Sequence, residues 1–199
     1  MRVKKLVLVL AVLALITALA ACGGPEDSAN APAAPEQEET RAEPQEETPA
    51  AEAPEDTTLK LTVPKMAQIK DDNVPYTTGD DEEALHDNAA IHLDGTGHPW
   101  EQEANVYIAG HRLGYEGTNS HLAFWDLNKL EEGDEFYITD SEGRQYTYVV
   151  FRKYVTTPAN LRVLNPVEGK NIVTLQTCTL PDYTNRLLVR AELEEIKEA

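Results

Sequence analysis

The stretch 171-NIVTLQTCTLPDYTNRLLVRAEL-193 decides the fold and frames the chemistry. Two apolar runs, NIVTLQT and RLLVRAEL, flank a short polar loop that holds Pro, Asp and Asn. That pattern predicts two strands joined by a turn-rich connection. Cys178, one of only two cysteines in the chain, falls where the first strand ends. Arg186 opens the second strand, and Arg190 shares its face further along. Strand ends beside loops are where reactive side chains are usually displayed.

The same signals recur upstream. LKLTVPKM (59–66) alternates and predicts a strand ending at Pro64. NVYIAG (105–110) is a short apolar strand, and EEGDEFYITD (131–140) is a turn followed by a strand. SEGRQ predicts a hairpin turn into the long alternating strand YTYVVFRKYV (146–155). DDEEALHDNAA (80–90) predicts a short helix with an acidic first turn. IHLDGTGHPWEQEA (91–104) reads as loop. SHLAFWDLNKL (120–130) predicts a helix capped by Ser120, with Leu122, Trp125 and Leu130 on one face. Many short strands and few, brief helices predict a mostly β fold, a closed or nearly closed barrel of about eight strands with short helices. It spans residues 58–199 and shows no internal repeats.

The N-terminal part has a different character. MRVKKLVLVLAVLALITALAAC reads as a secretory leader over residues 1–21, with a basic start at Arg2, Lys4 and Lys5. Its apolar run, Leu6 to Leu19, is shorter than the roughly 20 residues of a spanning helix. It ends in LAAC, which resembles a bacterial lipobox and predicts lipidation at Cys22; the alternative is an uncleaved membrane helix. Either anchor puts the rest of the chain on the outer face of the cell membrane. Residues 22–57, rich in Pro, Ala and Glu, have almost no large apolar side chain and predict a disordered acidic stalk. The net charge of −18 excludes nucleic acid as a partner and argues against adhesion to anionic lipid surfaces.

Cys178 is left without an intramolecular partner once Cys22 is committed to the anchor. No C-x-x-C or H-x-x-x-H element lies near it, so a metal site is not expected. The carboxylates of Glu131, Glu132 and Asp134 read as a solvated turn, and no cofactor is expected. Two possibilities stay open, a buried inert thiol and a nucleophile. A nucleophile needs an imidazole partner and a donor for the oxyanion. Among the five histidines, His86, His92 and His98 lie in polar helix or loop text, and His121 falls at the start of an expected helix. His111 differs, because it follows a buried strand and a glycine. Arg186, always charged and forked, suits an oxyanion.

TLQTC, then NRLLV, with AGHR upstream, resembles the sortases, bacterial surface transpeptidases with a T-L-x-T-C motif, a downstream Arg and an upstream His. The likeness runs from about Thr58 to Leu193 and is greatest to the class E-type sortases of actinobacteria. It implies that Cys178 attacks the Thr–Gly bond of an L-P-x-T-G or L-A-x-T-G sorting signal on a secreted protein. His111 protonates the departing amine, and an amine from a peptidoglycan precursor or a pilin Lys resolves the thioester. Arg186 stabilises the oxyanion, and the Thr177 segment helps to hold substrate. A cysteine hydrolase of the same signal and a catalytically silent wall-binding lipoprotein are the alternatives. One departure is the anchor, since sortases usually keep a transmembrane helix where this chain has a lipobox.

Overall fold

The computed structural model of the protein describes residues 52–199. The expected leader, Cys22 and the stalk up to residue 51 lie outside the described residues. The end of the expected stalk touches the domain. Pro54 is buried, and the Asp56 carbonyl accepts a hydrogen bond from Ser141 Oγ at 2.6 Å.

Among the described residues nine strands form one sheet: β1 (Leu59–Thr62), β2 (Lys70–Val74), β3 (Tyr76–Thr77), β4 (Ile91–Leu93), β5 (Ala104–Ala109), β6 (Glu135–Thr139), β7 (Gln145–Thr156), β8 (Asn171–Cys178) and β9 (Arg186–Lys197). Their order is β2-β1-β6-β7-β9-β8-β5-β4-β3. The two outermost strands, β2 and β3, are consecutive in the chain and separated only by Pro75. A sheet whose edges meet through one residue has to curl on itself, and the result is a nearly closed barrel with one strand more than the sequence suggests. Alternation explains the interior. Val106 and Ile108 of β5, Val173 and Leu175 of β8, and Val189 and Ala191 of β9 face inward with Phe124, Phe136 and Tyr148.

Three strands, β2, β3 and β4, carry the weakest sequence signals. In β2, KDDNV, only Val74 is buried, and β3 has two residues. β4 sits inside text that reads as loop because Gly and Pro crowd its C-terminal side. The helix α1 (Glu82–Asp87) forms where its acidic first turn predicts, with Asp81 Oδ1 accepting from the Ala84 amide at 3.0 Å.

The helix expected over 120–130 shrinks to a 3-10 helix at Trp125–Lys129. Its upstream half is used otherwise. The Leu122 amide donates to the Leu113 carbonyl at 2.7 Å and the Phe124 amide to the His111 carbonyl at 3.0 Å. This doubling back holds Leu122 at φ 54°, outside the helical region. Ser120 is buried and accepts from the Tyr115 amide instead of capping a helix. Leu127 and Leu130 enter the core, and Trp125 stays exposed.

The turn expected from Glu131 to Asp134 is tied down by lysines: Lys65 pairs with Asp134 at 2.7 Å and Lys153 with Glu131 at 2.7 Å. Among the described residues no helix is long and apolar enough to cross a membrane.

His92 of β4 is fully buried, with its Nε2 on the Gly97 carbonyl at 2.9 Å and its ring against Tyr76 and His98. Burial, then the nearby His98, lowers its pKa from 6.5 to about 4. The unfolded chain therefore binds a proton that the fold refuses. This contribution to stability is complete above about pH 6.5 and is lost as pH falls towards about 4. The full loss is on the order of 3 kcal/mol. Urea denaturation should show the midpoint falling across that window. His92→Gln, which keeps a donor for Gly97, should flatten the slope; an unchanged slope would remove His92 as its source.

Candidate active site

Three adjacent strands build the site, in the order β9, β8, β5. On one side, antiparallel pairing sets Cys178 directly against Arg186. On the other, β5 and β8 run parallel with an unbroken register from Ala104 against Asn171 to Ala109 against Gln176. The Gly110 amide continues the ladder onto the Gln176 carbonyl at 3.0 Å. The same register, carried just beyond the strand, puts His111 beside Cys178. The cysteine is thus flanked by the arginine on one strand and the histidine after the other.

Local chemistry holds each member. Thr177 is buried and its hydroxyl donates to the Gly110 carbonyl at 2.8 Å, locking the two strand ends together. Gly110 has no room for a side chain: a Cβ would meet the Phe124 ring at 2.7 Å and the Ala89 carbonyl oxygen at 2.9 Å. The loop between Cys178 and Arg186 is closed at its base by the Thr179 amide on the Asn185 carbonyl at 3.0 Å. Arg186 Nη1 donates to the carbonyls of Tyr183 and Asn185 at 3.2 and 3.3 Å, so two contacts aim the guanidinium. Its Nε and Nη2 keep no protein partner among the described residues.

His111, Cys178 and Arg186 all line one cavity of about 330 Å³, together with Thr177, Gln176 and Tyr107. The rest of its wall is largely apolar, from Leu85, Ile91 and Leu93 on one side to Leu161, Val163 and Leu164 on the other. Cys178 is half-buried and free. Burial holds the His111 imidazole below its ordinary pKa, with Glu82 opposing the effect. His111 Nε2 is buried with no hydrogen-bond partner among the described residues. Arg190, on the same face as Arg186, is engaged elsewhere: its Nη2 donates to the Val163 carbonyl at 2.8 Å. It braces the 3-10 helix Leu161–Leu164 that forms the cavity wall. That brace depends on how the 3-10 helix packs against β9, and the contact between Tyr107 and Gln176 on the register of β5 with β8, so spacing within one segment records neither.

The family model described as "Sortase domain" matches residues 61–194. The chain belongs to the sortase family. Sortase A of Streptococcus agalactiae is 34% identical over 94 residues, 47% of this chain and 38% of that protein. Sortase SrtE1 of Streptomyces coelicolor is 30% identical over 151 residues, 68% of this chain and 40% of that protein. The chain spans about two fifths of the length of the curated relatives it matches. Among solved structures, sortase A from Corynebacterium diphtheriae, a lid mutant, superposes with a TM-score of 0.59 at 29% identity and covers 74% of both chains. Sortase C1 from Streptococcus agalactiae gives 0.57 at 31% identity, covering 68% of this chain and 66% of that one. These relatives share the nearly closed barrel.

Within this sortase domain, Thr177→Val keeps the side-chain shape and removes the bond to Gly110. The unpaired buried carbonyl should lower stability by about 1–3 kcal/mol in chemical denaturation. The alkylation rate of Cys178 should shift by more than the stability change explains, because His111 loses its fixed position beside Cys178. An unchanged alkylation rate in a destabilised variant would show that the bond serves folding only.

Proposed function

We propose that the chain is a cysteine transpeptidase that cleaves the Thr–Gly bond of an L-P-x-T-G or L-A-x-T-G sorting signal and transfers the acyl part to an amine. The observation that carries this proposal is the flanking of Cys178 by Arg186 and His111 on adjacent strands, in one mostly apolar cavity. The Cys178 thiolate attacks the scissile carbonyl carbon, and the carbonyl electrons move to oxygen. Arg186, with its open Nε and Nη2, stabilises that oxyanion. The C–N bond then breaks, and His111 gives its proton to the departing glycine amine. The thioester remains on Cys178. An incoming amine attacks it, the C–S bond breaks with Cys178 leaving as thiolate, and His111 takes up the amine proton, which restores the starting pair. Thr177 serves by its backbone beside the cysteine, its hydroxyl being committed to Gly110.

Burial of His111 disfavours its imidazolium form, with Glu82 opposing the effect. The acceptor is an amine of a peptidoglycan precursor or a pilin lysine; one similar structure is a pilus-related sortase C of group B Streptococcus. The N-terminal segment, with lipid on Cys22, places the domain on the outer face of the membrane, where secreted proteins present their signals.

The direct test is incubation with a panel of L-P-x-T-G and L-A-x-T-G peptides, with and without candidate amines, followed by mass spectrometry. A new amide bond is expected with the amine. Water-derived product alone in both arms would make the enzyme a hydrolase. Cys178→Ala should abolish product, while His111→Ala and Arg186→Ala should each lose most of the rate. Arg190→Ala should keep more activity than Arg186→Ala, since it braces a wall; the reverse ranking would reassign the oxyanion donor.

A further inference from the structure

Gln176 occupies the unspecified position of the T-L-x-T-C motif, and its surroundings give it a role. It lies on the same strand face as Cys178, so the two side chains stand about 7 Å apart along β8. Tyr107, 2% exposed, forms part of the cavity floor and donates from its hydroxyl to Gln176 Oε1 at 2.7 Å. That bond uses the acceptor end of the amide. The donor end, Nε2, has no protein partner among the described residues, and both residues line the cavity. Around them the wall is Leu93, Ala109, Val163 and Leu164. An amide donor fixed in an apolar groove loses its water when a ligand covers it and then needs an acceptor.

An extended peptide repeats its carbonyls on one side at the same spacing of about 7 Å. With the scissile carbonyl at Cys178, the carbonyl that faces Gln176 belongs to the residue two positions earlier in the acyl part. That part stays on the enzyme through the thioester and has to be held there. We propose that Gln176, oriented by Tyr107, is a substrate-binding donor that reads this main-chain carbonyl. The proposal rests on the transpeptidase function above. It accounts for a polar pair on the floor of a mostly apolar groove, and it gives the enzyme a grip on the peptide that does not depend on side-chain identity at that position.

Gln176→Glu separates this role from a structural one. A carboxylate still accepts from the Tyr107 hydroxyl, but it offers no donor and repels a carbonyl. The expected result is a KM raised about tenfold or more, with kcat within about twofold. Tyr107→Phe frees the amide and should raise KM less, by about threefold. Binding of a labelled sorting peptide to the Cys178→Ala protein, with and without Gln176→Glu, gives a second readout free of turnover, and thermal unfolding confirms that each variant is folded. If Gln176 only satisfies the tyrosine, Gln176→Glu will match the unsubstituted protein in KM and in binding, and the proposal is overturned while transpeptidation stands. A protein that neither cleaves nor binds any sorting peptide overturns both.

Discussion

The parallel pairing of β5 with β8 is the constraint on which the site depends. The two strands are far apart in sequence, and parallel neighbours require a long crossover. Everything between them, from the doubled-back segment after His111 to the β6–β7 hairpin and the cavity wall, is that crossover. Its geometry would mean little if the strands could slip. Register is fixed by inward-facing Val106, Ile108, Val173 and Leu175, since a one-residue shift would turn all of them outward. Thr177 adds a polar lock at the end of the ladder, where the apolar faces run out.

The electrostatics of the groove follow from the same placement. A histidine beside an apolar wall is desolvated, which favours its neutral form. An arginine at the opposite rim spends only part of its donor set on its own loop. Arg190 shows how position separates like residues: on the same face, deeper along β9, its guanidinium meets a wall carbonyl.

Much of this was legible in the sequence, and the limit is physical. Cys178 and Arg186 are joined by a short loop, so their pairing is local and the turn residues disclose it. The barrel interior follows from alternation in β5, β7, β8 and β9. The neighbourhood of His111 and Cys178 is non-local; a motif could suggest it, but periodicity alone could not. β2, β3 and β4 were hidden because they are short or polar and owe their pairing to the barrel. The helix over 120–130 failed because tertiary hydrogen bonds to Leu113 and His111 outcompeted helical ones. Tyr107 and Gln176 meet on a diagonal across two strands, which no spacing within one strand records.

The meeting of β2 and β3 at Pro75 has a consequence for how the domain meets extended chains. Many domains that bind extended chains offer a long free strand and let the ligand extend the sheet. Here the outermost strands are short, and proline, which carries no amide hydrogen, sits at the junction. A passing polypeptide finds little backbone to copy, which also protects the domain from pairing with unfolded neighbours. Discrimination among extended chains at this surface therefore falls to side chains rather than to backbone pairing.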